Sequence, residues 1–435
     1  MDATVTADAD AHTSFSRLRA IVGGSMGNLV EWYDWYTYSA ATLYFAPIFF
    51  PKGDQTAQLL QAAAVFAVGF AARPVGAWLM GLYADRAGRR AALVLSVGMM
   101  CVGSLVIALT PGEAAIGVAA PVILVLARIF QGLSLGGEYG ASATYMSEVA
   151  GSKRRGFWSS FQYVTLIAGQ LLALAVLIVL QNILPKADMA AWGWRIPFAI
   201  GALLAVIVFW IQNRLPESHQ FEVAKKTVKE RGQTMTLIMN HPREALTVLG
   251  LTAGGSMIFY VYTTYMQKFL TNTSGFSKDQ ATNISAATLF VFMLAQPLFG
   301  WLSDKLGRRA MLGLAFGGGA IVTWPVMTAV GSTHSAVAAF LWISLAMLLQ
   351  SGYTAVSAVV KAELFPTHVR ALGVALPYAI ANAVFGGTAE YVALWFKSIG
   401  SEAGFYIYGS VLMALGFIVV LSMRDPRKAG LMGES

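Results

Sequence analysis

A charge inside a long apolar stretch costs about 3 kcal/mol at the bilayer centre on insertion scales. Such residues call for a function or a partner, and this sequence has several. The stretch 27–36 holds Asn28, Glu31 and Asp34, with Tyr33 between the acids and Tyr38 just beyond. Asn28, Glu31, Asp34 and Tyr38 recur at helical spacing and are expected to share one helix face. Two carboxylates three residues apart repel when both are ionised. That suits a group that takes up and releases a proton; the alternative is pairing with an arginine. Arg73 precedes Pro74 in a second stretch. It either neutralises Glu31 or Asp34 or contacts an anionic substrate. In a third stretch Arg128, Gln131, Leu135 and Glu138 fall on one stripe. A cation, an amide and an acid facing one cavity form a relay or clamp, or else an internal Arg128–Glu138 pair. Arg195 lies between Trp194 and Ile196 at a span's edge. It is either an outer substrate contact or an interface anchor. Arginine offers a carboxylate a planar, permanently charged fork. Arg73 and Arg128 could hold the two ends of a short dicarboxylate. Alternatively, one holds substrate and the other neutralises the acids of the first stretch.

The second half is expected to supply hydrogen bonds and aromatic walls. Tyr260, Thr263, Thr264 and Gln267 make one polar stripe, with Tyr265 beside it. Gln350, Tyr353, Thr354 and Ser357 make another. Asn382 and Glu390 flank Gly386 and Gly387. Tyr33, Gln131, Tyr265, Gln350 and Tyr353 therefore join the arginines as substrate contacts. Glu390 joins Glu31, Asp34 and Glu138 as a proton-coupling acid.

These residues need membrane-spanning elements to carry them. Hydrophobic residues make up 57% of the 435 and charged residues 12%, against about 25% charged in a soluble domain. Apolar stretches of about 20 residues, the length that crosses a bilayer, fall at 19–46, 58–84, 91–110, 120–148, 156–184 and 193–213. After a polar stretch at 214–242 come 244–270, 280–303, 309–331, 336–363, 369–396 and 403–423. The expected fold is all-α, with twelve transmembrane helices in two six-helix bundles. The domains are 1–213, a cytoplasmic linker at 214–242, and 243–435.

With the N-terminus inside, 22 of the 30 lysines and arginines fall on the cytoplasmic side and five outside, Lys268 among the five and Lys361 among the 22. That asymmetry expects both termini in the cytoplasm. The net charge of +8 is explained by lipid headgroups, so no nucleic acid is expected. One cysteine and five scattered histidines supply no metal or nucleophile constellation, so neither an enzyme nor a cofactor is expected. The polar, acidic residues up to Ser14 do not suggest a cleavable signal peptide.

The charged turn Gly81-Leu-Tyr-Ala-Asp-Arg-Ala-Gly-Arg-Arg90 recurs 219 residues later as Gly300-Trp-Leu-Ser-Asp-Lys-Leu-Gly-Arg-Arg309. A charged turn repeated at half the chain length marks two copies of one membrane unit. Asp85, Arg89, Asp304 and Arg308 become gate residues. The pattern resembles the loop signature of the major facilitator superfamily. The stretch Gly136-Gly-Glu-Tyr-Gly-Ala-Ser-Ala-Thr-Tyr-Met-Ser-Glu148 resembles its metabolite:proton symporters. The resemblance implies a cytoplasmic gate latched by the repeated loops, a role for Arg128 in proton coupling, and a monomer in a bacterial inner membrane. It also implies a small metabolite taken up with protons, with the branch that carries 2-oxoglutarate nearest. Citrate, shikimate, proline or betaine are the other family substrates, and an uncoupled facilitator or exchanger is the other mode.

Overall fold

A computed structural model describes residues 27–87, 89–134, 154–212, 240–366 and 370–423. Without water in the bilayer core, backbone groups must pair within their own segment, so long apolar runs close into helices. The first half contains α1 (27–49), α2 (Gln55–Ala87), α3 (Arg89–Leu109) and α4 (Ala119–Ser134). It continues with α5, made of Arg155–Ser159 and Phe161–Ile183, and α6 (Ile196–Gln212). In the second half, α7 runs through Pro242–Tyr260, a π-helical turn Val261–Tyr265, and Met266–Asn272. Then come α8 (Lys278–Leu306), α9 (Arg308–Ser332) and α10 (Ala336–Glu363). The penultimate helix, α11, is Arg370–Ala381, a π-helical turn Asn382–Gly386, and Ala389–Ser398; α12 is Glu402–Ser422. Among the described residues, eight helices are long and apolar enough to cross a membrane, and Val94–Leu109 and Ala119–Ser134 are shorter apolar helices. The tail of the fourth expected span and nearly all of the expected linker lie outside the described residues.

Local signals set several boundaries. Ser277 accepts from the Gln280 backbone N–H (3.2 Å) and the Gln280 side chain accepts from the Ser277 N–H (3.1 Å), a capping box that starts α8. Ser335 accepts from the Ala338 N–H (3.3 Å) at the start of α10. The π turns were not expected from spacing. Such turns are frequent at functional sites, and α1 donates to two carbonyls of the one in α7. Tyr36 Oη donates to the Thr263 carbonyl (2.8 Å) and Ser39 Oγ to the Thr264 carbonyl (3.2 Å). The stripe Tyr260–Gln267 is therefore broken at its centre.

In the first bundle α2 packs on α4, and α3 on α4 and α6. In the second α9 packs on α10 and α12, α8 on α10, and α7 on α11 and α12. The bundles meet where α5 faces α8 and α2 faces α11. The α2–α4 contact brings backbones together: a Cβ on Gly132 would meet the Gly69 carbonyl and the Ala72 methyl. Gly132→Val should therefore destabilise the bundle by about 1–3 kcal/mol, read as a lower melting temperature and loss of monodisperse protein on size exclusion. Unchanged melting would show that α2 and α4 do not need this approach.

Candidate substrate and proton site

The residues expected to form one stripe on α1 meet three different neighbours. Asn28 Nδ2 donates to the Gln162 carbonyl (3.3 Å) and Thr165 Oγ1 (3.1 Å) of α5. Tyr38 Oη donates to the Ala62 carbonyl of α2 (2.9 Å). Asp34 turns to α3 and α4. This is a correction to the expected stripe: the positions span enough of the helix circumference to face three different neighbours. Glu31 is buried one turn before Asp34.

Asp34 is held by hydrogen bonds. Ser104 Oγ donates to Oδ1, and Gln131 Nε2 donates to Oδ2 (2.8 Å) and to Ser104 Oγ (3.0 Å). The Gln131 Oε1 in turn accepts from Arg128 Nη1 (2.8 Å). The amide thus joins the acid to the arginine. Leu135 and Glu138, the rest of the expected α4 stripe, lie outside the described residues.

Arg128 is fully buried. Its Cζ lies 3.8 Å from the Trp35 ring centroid and 4.4 Å from that of Tyr38. Arg73, 8% exposed, sits 4.2 Å from the same Trp35 ring and 4.0 Å from Phe70. Such stacking holds a guanidinium by its face and leaves its edge free. Arg128 Nε and Nη2, Arg73 Nε and Trp35 Nε1 have no acceptor among the described residues. A buried donor left unpaired costs about 1–3 kcal/mol, so four around one indole mark a place that an anion would complete. Trp32 stacks on Tyr260 (6.4 Å), and Phe70 meets Tyr260 edge-on (5.1 Å). Gly386 brings Asn382 and Tyr260 together there.

Both arginine carbons lie on one indole, so they stand at most 8.0 Å apart, the sum of the two ring distances. A bidentate contact separates guanidinium and carboxylate carbons by about 4 Å. The carboxyl carbons of an extended five-carbon diacid are about 5 Å apart. In line, two arginines at opposite ends would need about 13 Å. An extended diacid held in line at both ends is thus longer than the separation of this pair.

Other expected contacts sit elsewhere. Tyr33 Oη donates to the Pro197 carbonyl (2.9 Å) and ties α1 to α6. Arg195 Nη1 donates to the Ala108 and Thr110 carbonyls (2.7 Å each). It closes the end of α3, as cations do at helix C-termini. Tyr265 packs against Phe269 and Phe405. Gln350 Nε2 donates to the Gly255 carbonyl (2.8 Å) while its Oε1 has no donor among the described residues. Tyr353 meets Phe316 edge-on and its hydroxyl accepts from Lys361 Nζ (3.2 Å).

The second half carries more buried charge than expected. Lys268 and Lys361, assigned to loops from sequence, are fully buried in α7 and α10. Lys268 Nζ lies 2.9 Å from Glu390 Oε2 and donates to Ser39 Oγ (2.6 Å) across the bundle interface. Lys361 Nζ donates to Ser357 Oγ (2.8 Å) and lies 4.3 Å from the Tyr378 ring centroid. Moving each from its side leaves the charge asymmetry intact. No sequence signal marked them, because each stands near the end of an apolar run where loop lysines also occur.

The second repeated loop latches the bundles. Gly307, at φ 98°, makes the reversal that an L-residue resists. Asp304 accepts from the Gly156 N–H (2.8 Å) and Phe157 N–H (2.9 Å) at the start of α5, where the helix dipole favours an anion. Arg308 Nη1 donates to Asp304 Oδ1 (2.8 Å) and Ser303 Oγ (2.6 Å), and its Nη2 lies 3.5 Å from Glu363 Oε1. The side chains of Asp85 and Arg89 lie outside the described residues. Charge-assisted bonds contribute about 1.5–3 kcal/mol each. Asp304→Asn should therefore shift this face at least tenfold toward open, read as faster hydrogen exchange over 155–160 and lower uptake. Native protection in that segment would show that Asp304 does not hold the latch.

Apolar helices in two packed bundles, with unpaired buried donors around Trp35 and Asp304 bonded from one bundle to the other, are the architecture of a solute carrier. The chain belongs to the major facilitator superfamily. Residues 20–248 match the family described as sugar (and other) transporter, and 246–431 match the Major Facilitator Superfamily. It is 55% identical to the alpha-ketoglutarate permease of Escherichia coli K12, over 98% of this chain and 99% of that protein. It is 32% identical to a citrate-proton symporter of Salmonella typhi, over 94% of each. Its fold matches the partially occluded, inward-open xylose transporter of E. coli with a TM-score of 0.73, at 20% identity, over 92% of this chain and 95% of that one. The chain is a multi-pass membrane transporter, not an enzyme. Its fold is the twelve-helix, two-bundle fold of the superfamily.

Proposed function

We propose that this chain takes up 2-oxoglutarate together with protons across a bacterial inner membrane. The observation that carries this reading is the set of unpaired donors around Trp35, joined through Gln131 to Asp34. One substrate carboxylate enters between Arg73 and Arg128 and accepts from the free guanidinium edges. With Asp34 ionised, Gln131 gives its NH2 to the acid and its carbonyl to Arg128. A proton on Asp34 makes the acid a donor. The amide then turns, its oxygen leaves Arg128, and the freed Nη1 goes to the substrate. Proton and anion thus favour each other's binding, which is what coupling requires. A dianion entering an inside-negative cell moves uphill by about 2.3 kcal/mol per charge per 100 mV, and cotransported protons offset this.

The aromatic cluster could also suit a quaternary ammonium. Here two guanidinium groups already lie over those rings, which disfavours betaine and favours an anion. The carrier works as a monomer among lipids, with bundles 1–213 and 243–435 joined by the cytoplasmic linker 214–242 and both termini in the cytoplasm. The repeated loops lie on that face, with Asp85 and Arg89 in the counterpart of the Asp304–Arg308 latch. Glu31, Glu138 and Glu390 are the reserve carriers should Asp34 not be the one.

Purified protein in liposomes should accumulate labelled 2-oxoglutarate when the outside is acidified, and a protonophore should abolish this. Uptake that ignores the pH gradient would establish a facilitator or exchanger instead. Stronger competition by proline, betaine, shikimate or citrate would overturn the substrate.

A further inference from the structure

The two arginines at Trp35 account for one carboxylate, and a dicarboxylate has a second. We infer that Lys268 holds the far carboxylate, with Glu390 filling that place when the site is empty. This rests on the reading of 2-oxoglutarate as substrate.

Lys268 is a fully buried ammonium at the interface between the bundles. Its partners are Glu390 Oε2 at 2.9 Å on α11, Ser39 Oγ at 2.6 Å on α1 and the Thr264 carbonyl at 3.4 Å. Ser39 stands four residues beyond Trp35, which is about 6 Å along α1. The ammonium's contact on α1 is therefore one turn beyond the residue whose ring carries both arginines, and on the side of the second bundle. Glu390 presents the same group as the far end of the substrate. Exchanging one carboxylate for another leaves Lys268 paired throughout, and a proton taken up by the displaced Glu390 keeps that acid from standing as an orphaned buried charge.

The arrangement also connects occupancy to closure. Lys268 reaches Ser39 across the interface, and the π turn of α7 gives the Thr263 and Thr264 carbonyls to Tyr36 and Ser39. A substrate that bridges the arginines of the first bundle to Lys268 of the second would pull the two halves onto itself.

Binding of labelled 2-oxoglutarate to the purified carrier tests this, with 2-oxopentanoate, which lacks the far carboxylate, as competitor. The native protein should prefer the diacid. Lys268→Met should weaken the diacid at least thirtyfold and the monoacid less than threefold, erasing the preference. Glu390→Gln, which removes the resident competitor, should tighten the diacid severalfold. If Lys268→Met does not fold, Lys268→Met with Glu390→Gln removes the pair without an orphaned charge, and it too should lose the preference. A retained diacid preference without Lys268, or weaker diacid binding in Glu390→Gln, would overturn the assignment. Native protein that binds neither acid would instead overturn the substrate reading on which it rests.

Discussion

Arg128→Ala should leave a folded carrier that binds 2-oxoglutarate at least thirtyfold more weakly and shows almost no uptake. Removing one partner of a buried, hydrogen-bonded charge pair costs about 2–5 kcal/mol, and tenfold in affinity corresponds to about 1.4 kcal/mol. Arg128 has more to lose than Arg73: it is fully buried, has two unpaired nitrogens, and is joined to Asp34 through Gln131. Arg128→Lys should rescue poorly, because an ammonium lacks the planar fork and stacks less well on Trp35. Equilibrium binding to detergent-purified protein measures this, with thermal melting to show that the fold survives. Native affinity in Arg128→Ala would remove the anion site from α4.

Asp34→Asn should abolish gradient-driven accumulation while counterflow exchange stays within about tenfold of native. The amide is nearly isosteric and keeps contact with Ser104 and Gln131, but it cannot carry a proton. Without the proton the carrier still exchanges substrate across the membrane, yet nothing drives net uptake against a gradient. That split between accumulation and exchange separates coupling from a folding defect, which would lower both. Accumulation by Asp34→Asn at the native ratio would move the carrier to Glu31, Glu138 or Glu390.

The elements were legible because the bilayer admits few solutions. An apolar run of about 20 residues has to become a helix, and α10 spans 336–363 as its hydropathy alone dictates. The repeated turn was legible because its glycine, aspartate and arginines keep their spacing over 219 residues. Asp304 and Arg308 do pair, but no spacing could disclose that Asp304 also accepts from the N–H groups of Gly156 and Phe157. Those are main-chain groups in another element, and main-chain groups carry no sequence signature.

The sequence alone determined which charges lie within the apolar spans of the first half, and so which chemistry was available: arginines for an anion, carboxylates for a proton. Only the tertiary structure decided how they combine. It set Asp34 against Ser104 and Gln131, put Arg73 and Arg128 on one indole, and joined Lys268 to Glu390 across 122 positions of chain. It also set the Tyr33 hydroxyl on the Pro197 carbonyl and Nη1 of Arg195 on the carbonyls of Ala108 and Thr110. The reason is geometric. Helical periodicity fixes the direction of a side chain relative to its own axis, while the neighbour it meets depends on how far each helix is turned about that axis. Packing of all the helices together sets that rotation.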